Sequence, residues 1–389
     1  MSITYYTADY IATGKGEVLK QGAVGISPQG VVTQILSSAD SIPKDRVKLN
    51  GILTPGLINA HCHLELSHLK GVIPKETGLV DFLLSVMKLK SSDNKEQEKA
   101  AIAADKAMYK KGIQVVGDHV NTSITADIKK NSPIHYHTFV EVIGLKDDEI
   151  QEKIDIAKDI EFYFEEGKTS ITPHAFYSCS KELIRNFKNH VGEDNILSIH
   201  NQESDEENKL FRYKKGDFLR FYKEIGFDVN KFRANSKNSF QTALPLLPNN
   251  EKTLFVHNTF TTLADISLLE RLGKTGFFCF CPNANLYIEG TIPNVPVLHY
   301  GNQKIVLGTD SLASNDDLCL VSEMRAIQQR YPEITFKDLI SWATTNGAEF
   351  FGLDSELGSL EIGKRPGLVL LKNMNDLAFT DDSTSERVV

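Results

Sequence analysis

Eight short apolar segments alternate with polar or helix-like stretches between Ile52 and Asp310, and weaker alternating segments recur near both chain ends. These observations predict an α/β protein: a (β/α)8 TIM barrel over residues 53–353, with a small β-sandwich-like domain built from residues 1–52 and 354–389. A chain of 389 residues accommodates one large barrel, and 41% hydrophobic residues suffice for its core.

The expected strands are Leu53–Asn59, Ile113–Asp118, His137–Ile143, Ser170–His174, Ile196–His200, Thr253–His257, Phe277–Cys281 and Lys304–Thr309. Helix signals fall between them. Glu96–Lys111 is rich in Ala and Lys, Ser180–Val191 ends at Gly192, and Thr262-x-x-Asp265 reads as a capping box for a helix closing at Gly273. Two connections are long, 64–93 after the first strand and 205–247 after the fifth. Long loops at a barrel's carboxyl face act as lids or substrate walls. Outside the barrel, Gly22–Ile26, Gly30–Ile35 and Gly358–Leu371 carry the alternating pattern of the small β domain.

Net charge is -8, and no Lys/Arg run exceeds a pair such as Lys214-Lys215, so a nucleic-acid partner is not indicated. A small-molecule substrate fits better. The first residues are polar, with no basic segment leading into an apolar one, and no apolar run reaches about 18 residues. A cytoplasmic protein without a membrane partner is expected. Five cysteines, at Cys62, Cys179, Cys279, Cys281 and Cys319, form no disulfide or metal-binding pattern and read as reduced core thiols.

Chemistry concentrates where strands end. His61-Cys-His63 closes the first strand, and residues two apart project to one face, so both imidazoles meet there. A His-x-His pair alone is weak, since one arises by chance about 0.3 times in such a chain. His135-Tyr-His137 is a decoy of this kind, standing upstream of its strand's end, where packing or hydrogen bonding is expected. The first pair differs because His200, His257 and Asp310 stand at other strand ends in the same register. Three imidazoles and a carboxylate suit Zn2+ or Fe2+, and a labile water would make such a site catalytic. Glu203, three residues past His200, is placed to move protons beside a metal-bound water, or is a first-turn glutamate facing solvent.

Pro55-Gly-Leu-Ile-Asn-Ala-His-Cys-His-Leu-Glu65, Pro173-His-Ala-Phe-Tyr-Ser-Cys-Ser180, His200-x-x-Glu203, Val256-His-Asn258, Cys281-Pro-Asn-Ala-Asn285 and Leu307-Gly-Thr-Asp-Ser-Leu-Ala-Ser-Asn-Asp316 together resemble the amidohydrolase superfamily. The resemblance spans nearly the whole chain, in order. It is closest to the cytosine-deaminase-like, chlorohydrolase-related branch, with its adenosylhomocysteine, guanine and aminodeoxyfutalosine deaminases and triazine hydrolases. It implies one divalent metal, Zn2+ before Fe2+, held by His61, His63, His200 and Asp310. Glu203 is then the proton shuttle, and His257 holds the attacking water. His174 stands where two-metal relatives carry a bridging lysine or glutamate, which implies a single metal and a substrate contact for His174.

Three positions stay open. Glu65, in a Leu-Glu-x-Ser continuation similar to aminodeoxyfutalosine deaminase, either accepts hydrogen bonds from substrate or is used within its loop. Asn285 lines the pocket or forms a turn. Asp316, Asp317 and Glu323 read as solvated charges. Near the C-terminus Pro366-Gly367 replaces the family's usual Ala-Asp, which puts local strand pairing in doubt. The implied reaction is hydrolytic release of ammonia from an amino-substituted, purine- or nucleoside-like heterocycle. The same site could expel chloride or open an imidazolone or cyclic amide ring, and a non-catalytic scaffold is disfavoured because every ligand is present. Related enzymes are often dimers, which implies a homodimer as one assembly.

Overall fold

Eight parallel strands form two four-stranded sheets in the computed structural model, which describes residues 3–37, 42–89, 93–165, 168–248 and 252–389. Strands one to four are Leu57–Cys62, Ile113–Val120, His135–Val142 and Thr169–Pro173, neighbours in that order. Strands five to eight are Leu197–Asn201, Thr253–His257, Phe277–Phe280 and Lys304–Leu307, again in order. Isolated parallel bridges join the two sheets at both margins, Cys62 to Asp310 and Ala175 to His200. Backbone hydrogen bonds tighten the first junction: Thr309 N and Asp310 N both donate to His61 O, at 3.0 and 3.1 Å.

The first expected strand divides in two. Ile52–Thr54 pairs antiparallel with Val369–Leu371 and parallel with Tyr10–Ile11, whereas Leu57–Cys62 pairs with strand two. Pro55 lacks a backbone donor and so interrupts the ladder between them. Gly56 then lets the chain turn against the C-terminal segment, its N–H donating to Pro366 O at 3.0 Å. Despite Pro366-Gly367, Val369–Lys372 pairs on both sides, with Ile52–Thr54 and with Thr384–Arg387. Residues from both chain ends share a core that includes Ile11, Val24, Val32, Leu53, Leu368 and Leu370.

Helices follow the local signals with small shifts. Asn94–Lys110 starts one turn's edge earlier than expected because the Asp93 side chain accepts from Lys95 N. Thr262 and Asp265 form the capping box of Leu263–Arg271. The 180–191 segment makes a shorter helix, Lys181–Asn186, followed by a 3-10 turn, Phe187–Asn189. The 64–93 connection holds a 3-10 turn, Leu64–Leu69, and a helix, Leu79–Leu89; its residues 90–92 lie outside the described ones. The 205–247 insertion folds as helices Asp205–Tyr213, Phe218–Glu224 and Ser239–Ala243 around buried Leu210, Phe218 and Tyr222. All five cysteines are free and buried. Among the described residues no helix is long and apolar enough to cross a membrane.

Gly308, just past strand eight, packs against His61 of strand one. A Cβ there would stand 2.8 Å from both Cys279 Sγ and His61 Cβ and 3.0 Å from Cys281 Sγ. Gly308→Ala is expected to lower stability by about 1–3 kcal/mol, the usual range for overpacking, and to displace His61. Denaturant unfolding checks this; an unchanged midpoint would mean that the junction has slack.

Candidate active site

The strand ends bring four potential ligand atoms together. His63 Nε2 is 3.2 Å from His200 Nε2, and Asp310 Oδ1 is 3.5 Å from His61 Nε2 and 3.6 Å from His63 Nε2. Each ring's remaining contact bears on which nitrogen is available. His200 Nδ1 lies 2.9 Å from His174 O, to which it donates, so Nε2 carries the lone pair that faces the cluster. Asp310 Oδ2 accepts from Ser314 Oγ at 2.5 Å. Both ring nitrogens of His61 are buried without a hydrogen-bond partner. Buried polar atoms are nearly always satisfied, so this deficit fits a residue that binds a cation.

Electrostatics agree with the geometry. Burial first, and neighbouring histidines second, hold the His61 imidazole well below its ordinary pKa and therefore neutral. Burial likewise pushes His63 and His257 well down. Glu203 moves the other way: burial, then the charges of Asp310, Glu289 and Glu207, push its carboxyl well above the usual range. Glu203 Oε1 stands 3.6 Å from His257 Nε2, which has no hydrogen-bond partner. Several of these strand ends adopt left-handed backbone conformations, with φ of +74° at His257, +58° at Asp310 and +47° at Gln202. Such strain in non-glycine residues collects at functional sites.

Two site residues escaped the sequence reading. His119 groups with His61, His63 and His200, their ligating atoms all within 4.8 Å of one another. Its Nδ1 is 3.0 Å from Glu141 Oε1 and its Nε2 2.8 Å from Ser198 Oγ. Glu141 also accepts from Asn121 Nδ2 at 3.0 Å and lies 3.6 Å from His200 Nδ1. Burial raises its pKa, but the surrounding imidazoles, His174 foremost, outweigh this and hold it at about 2. Strand two runs to Val120 rather than Asp118, which puts His119 inside it. Asking what strands two and three end on, as for the other strands, would have found both. Neighbouring Asp118 accepts from Leu64 N at 2.7 Å and pairs with Lys129 Nζ at 2.6 Å, anchoring the chain just past His63.

The remaining singled-out residues divide. His174 lines the site cavity, its Nδ1 2.8 Å from Ser178 Oγ and its ring centre 4.6 Å from that of His200. Glu65 does not line it: the buried carboxylate accepts from Asn121 N, Thr122 N and Thr122 Oγ1 at 3.1, 3.2 and 2.7 Å, tying two loops together. Asn285 is buried and meets His257 Nδ1 at 3.4 Å instead of lining the cavity. His137 lies near the start of strand three, against Ser170 Oγ at 3.0 Å and the Phe139 ring. Asp316 and Asp317 pair with Lys75 and Lys111. Glu323 departs from expectation: it is fully buried, accepting from Asn283 N at 2.9 Å and Asn315 Nδ2 at 2.8 Å. Asn315 also donates to Thr309 O, so Glu323 braces the chain that carries Asp310.

A cavity of about 90 Å³ lies over the cluster. Leu79, Phe82, Leu83 and Val86 of the Leu79–Leu89 helix form its apolar roof, while the 205–247 insertion contributes no lining residue. A wider groove of about 820 Å³ beside Gln97 and Thr122 holds none of the clustered histidines.

Burial pushes the Glu323 carboxyl from 4.5 up to about 8. Between those values the folded protein retains a proton that the unfolded chain releases, so this group's contribution to stability falls as pH rises through that window. In Glu323→Gln, the decline of melting temperature from about pH 5 to about pH 8 should be shallower than in the parent. Equal slopes in thermal melts would contradict the assignment.

The amidohydrolase family profile matches residues 52–389. An adenosine deaminase of Helicobacter pylori is 26% identical over 349 residues, covering 87% of this chain and 82% of the relative. A 5'-deoxyadenosine deaminase of Methanosphaera stadtmanae is 28% identical over 348 residues, covering 84% and 75%. The crystal structure of Helicobacter pylori aminofutalosine deaminase in complex with methylthio-coformycin shares the fold, with a TM-score of 0.79, 23% identity and 97% and 93% of the two chains covered. Because that profile covers residues 52–389, well over half of its length, the chain belongs to the amidohydrolase family.

Proposed function

We propose that this protein is a metal-dependent hydrolytic deaminase that releases ammonia from an adenosine-like heterocycle. One observation carries the reading: His61, His63, His200 and Asp310 converge beside a carboxylate, Glu203, whose environment favours its protonated form. The deaminases among its relatives support the substrate class. The two sheets are proposed to close as one (β/α)8 barrel over residues 53–353, supported by the bridges at both margins, with the terminal sheets packed as a sandwich-like domain of residues 1–52 and 354–389.

His61, His63, His200 and Asp310 would hold one divalent cation, Zn2+ by the preference of imidazole and carboxylate donors. When bound there, such an ion lowers the pKa of a coordinated water towards neutrality. His257, held neutral by burial, would position a water at such an ion, and Asp310 would accept its proton. Glu203 donates a proton to the ring nitrogen beside the attacked carbon, the proton taken by Asp310 would pass to the exocyclic amine, which leaves as ammonia, and the remaining hydroxyl proton returns to Glu203 as the carbonyl forms. His174, on the opposite wall, contacts the ring. The apolar roof excludes bulk water, which strengthens every charge interaction beneath it.

Glu203→Gln should lower kcat by about 100-fold or more, the scale of general acid–base catalysis, with metal content unchanged. Near-normal turnover in that variant would remove Glu203 from the mechanism. Zinc at about 1,000 times its Kd should stabilise the protein by ~4 kcal/mol, and His63→Ala should abolish the shift. Ammonia release by the metal-loaded enzyme from adenosine, 5'-deoxyadenosine, guanine and aminofutalosine tests the reaction itself. Absence of ammonia from all four would direct attention to dehalogenation or ring opening.

A further inference from the structure

We propose that Glu141 is a specificity-determining residue that accepts hydrogen bonds from the sugar hydroxyls of a nucleoside-like substrate. The inference rests on the deaminase reading. The cavity has two polar walls. Glu203, His257 and Asp310 lie at the ends of strands five, six and eight, and Asn121, Glu141 and His174 at the ends of strands two, three and four. The reacting ring carbon must lie beside the first group, so the rest of the substrate extends across the second. Glu141 is the one carboxylate on that second wall among the described residues.

Its placement suits recognition. The side chain is only 2% exposed, yet it borders the cavity. A carboxylate offers about four acceptor positions, and the hydrogen bonds from His119 Nδ1 and Asn121 Nδ2 use two. Those bonds fix both oxygens, because His119 is itself held against Ser198 Oγ. Bracing His119 and His200 would require Oε1 alone; Oε2 is held by Asn121, which also lines the cavity. No Lys or Arg lines the cavity among the described residues. A buried carboxylate in that setting favours neutral hydrogen-bond donors and disfavours anionic groups. Leu79, Phe82, Leu83 and Val86 overhead complement an apolar substituent on the sugar.

The test compares adenosine with 2',3'-dideoxyadenosine on the metal-loaded protein, by ammonia release and by equilibrium binding. The parent should prefer adenosine by about 10-fold or more, the scale of a hydrogen bond to a charged group. Glu141→Gln, with metal content and melting temperature verified, should lose most of that preference, read as the ratio of the two compounds on the same protein. An equal fall for both compounds, or a preference that persists in the variant, would overturn the proposal. Should Glu141→Gln fail to fold, Glu141→Asp keeps the charge but withdraws it by one methylene, and its losses should likewise fall on adenosine. A binding preference that depends on Glu141 without ammonia release would sink the deaminase reading alone. No binding preference in the parent sinks the proposal whether or not ammonia appears.

Discussion

His61 is buried with neither ring nitrogen hydrogen-bonded, and the centre of the molecule is arranged around that deficit. An unsatisfied buried polar atom costs roughly 1–3 kcal/mol, and a bound cation would offset that cost at His61. Here the same environment that strips the imidazole of partners also keeps it neutral, with burial the dominant cause. Desolvation thus produces a lone pair and withholds it from the protein. His63, His200 and Asp310 face the same point.

Holding these groups together demands unusual backbone. Strand eight approaches strand one closely enough that Gly308 sits against His61, and Asp310 N bonds His61 O. The chain then turns through left-handed conformations at His257 and Asp310, each aiming a side chain inward. Buried polar side chains stabilise these turns. Asn258 Nδ2 donates to Phe255 O and Cys279 O, and Asn315 bridges Thr309 O to Glu323. The surrounding shell is therefore polar and buried, and several of its residues carry no chemistry of their own.

The cover over the site has a different character. The Leu79–Leu89 helix turns an apolar face to the cavity, while Glu65, at the head of the same connection, spends its carboxylate on Asn121 and Thr122. One connection thus provides both the roof and its attachment to the next loop. The cavity beneath it, about 90 Å³, is smaller than the 300–1,000 Å³ typical of ligand pockets.

Local chemistry made much of this readable in one dimension. Apolar runs ending in His63, His200, His257 and Asp310 marked the strands and the site together, because strand period and strand end are properties of short segments. Capping at Thr262 and the break at Pro55 are equally local, although the break's consequence, a strand shared with the C-terminus, required Val369–Leu371 to arrive from more than 300 residues away. Tertiary structure alone decided what faces what. Glu323 reads as a solvated helix charge until Asn283 and Asn315 fold over it, and Glu65 reads equally as a substrate contact or a loop tie until the Asn121 loop is seen to take its carboxylate. His119 and Glu141 sit in apolar strands, and only the convergence of strands one, two, three and five turns them from core residues into the inner wall of the site. Burial and partnership belong to the assembled fold, and a residue's role follows from them as much as from its type.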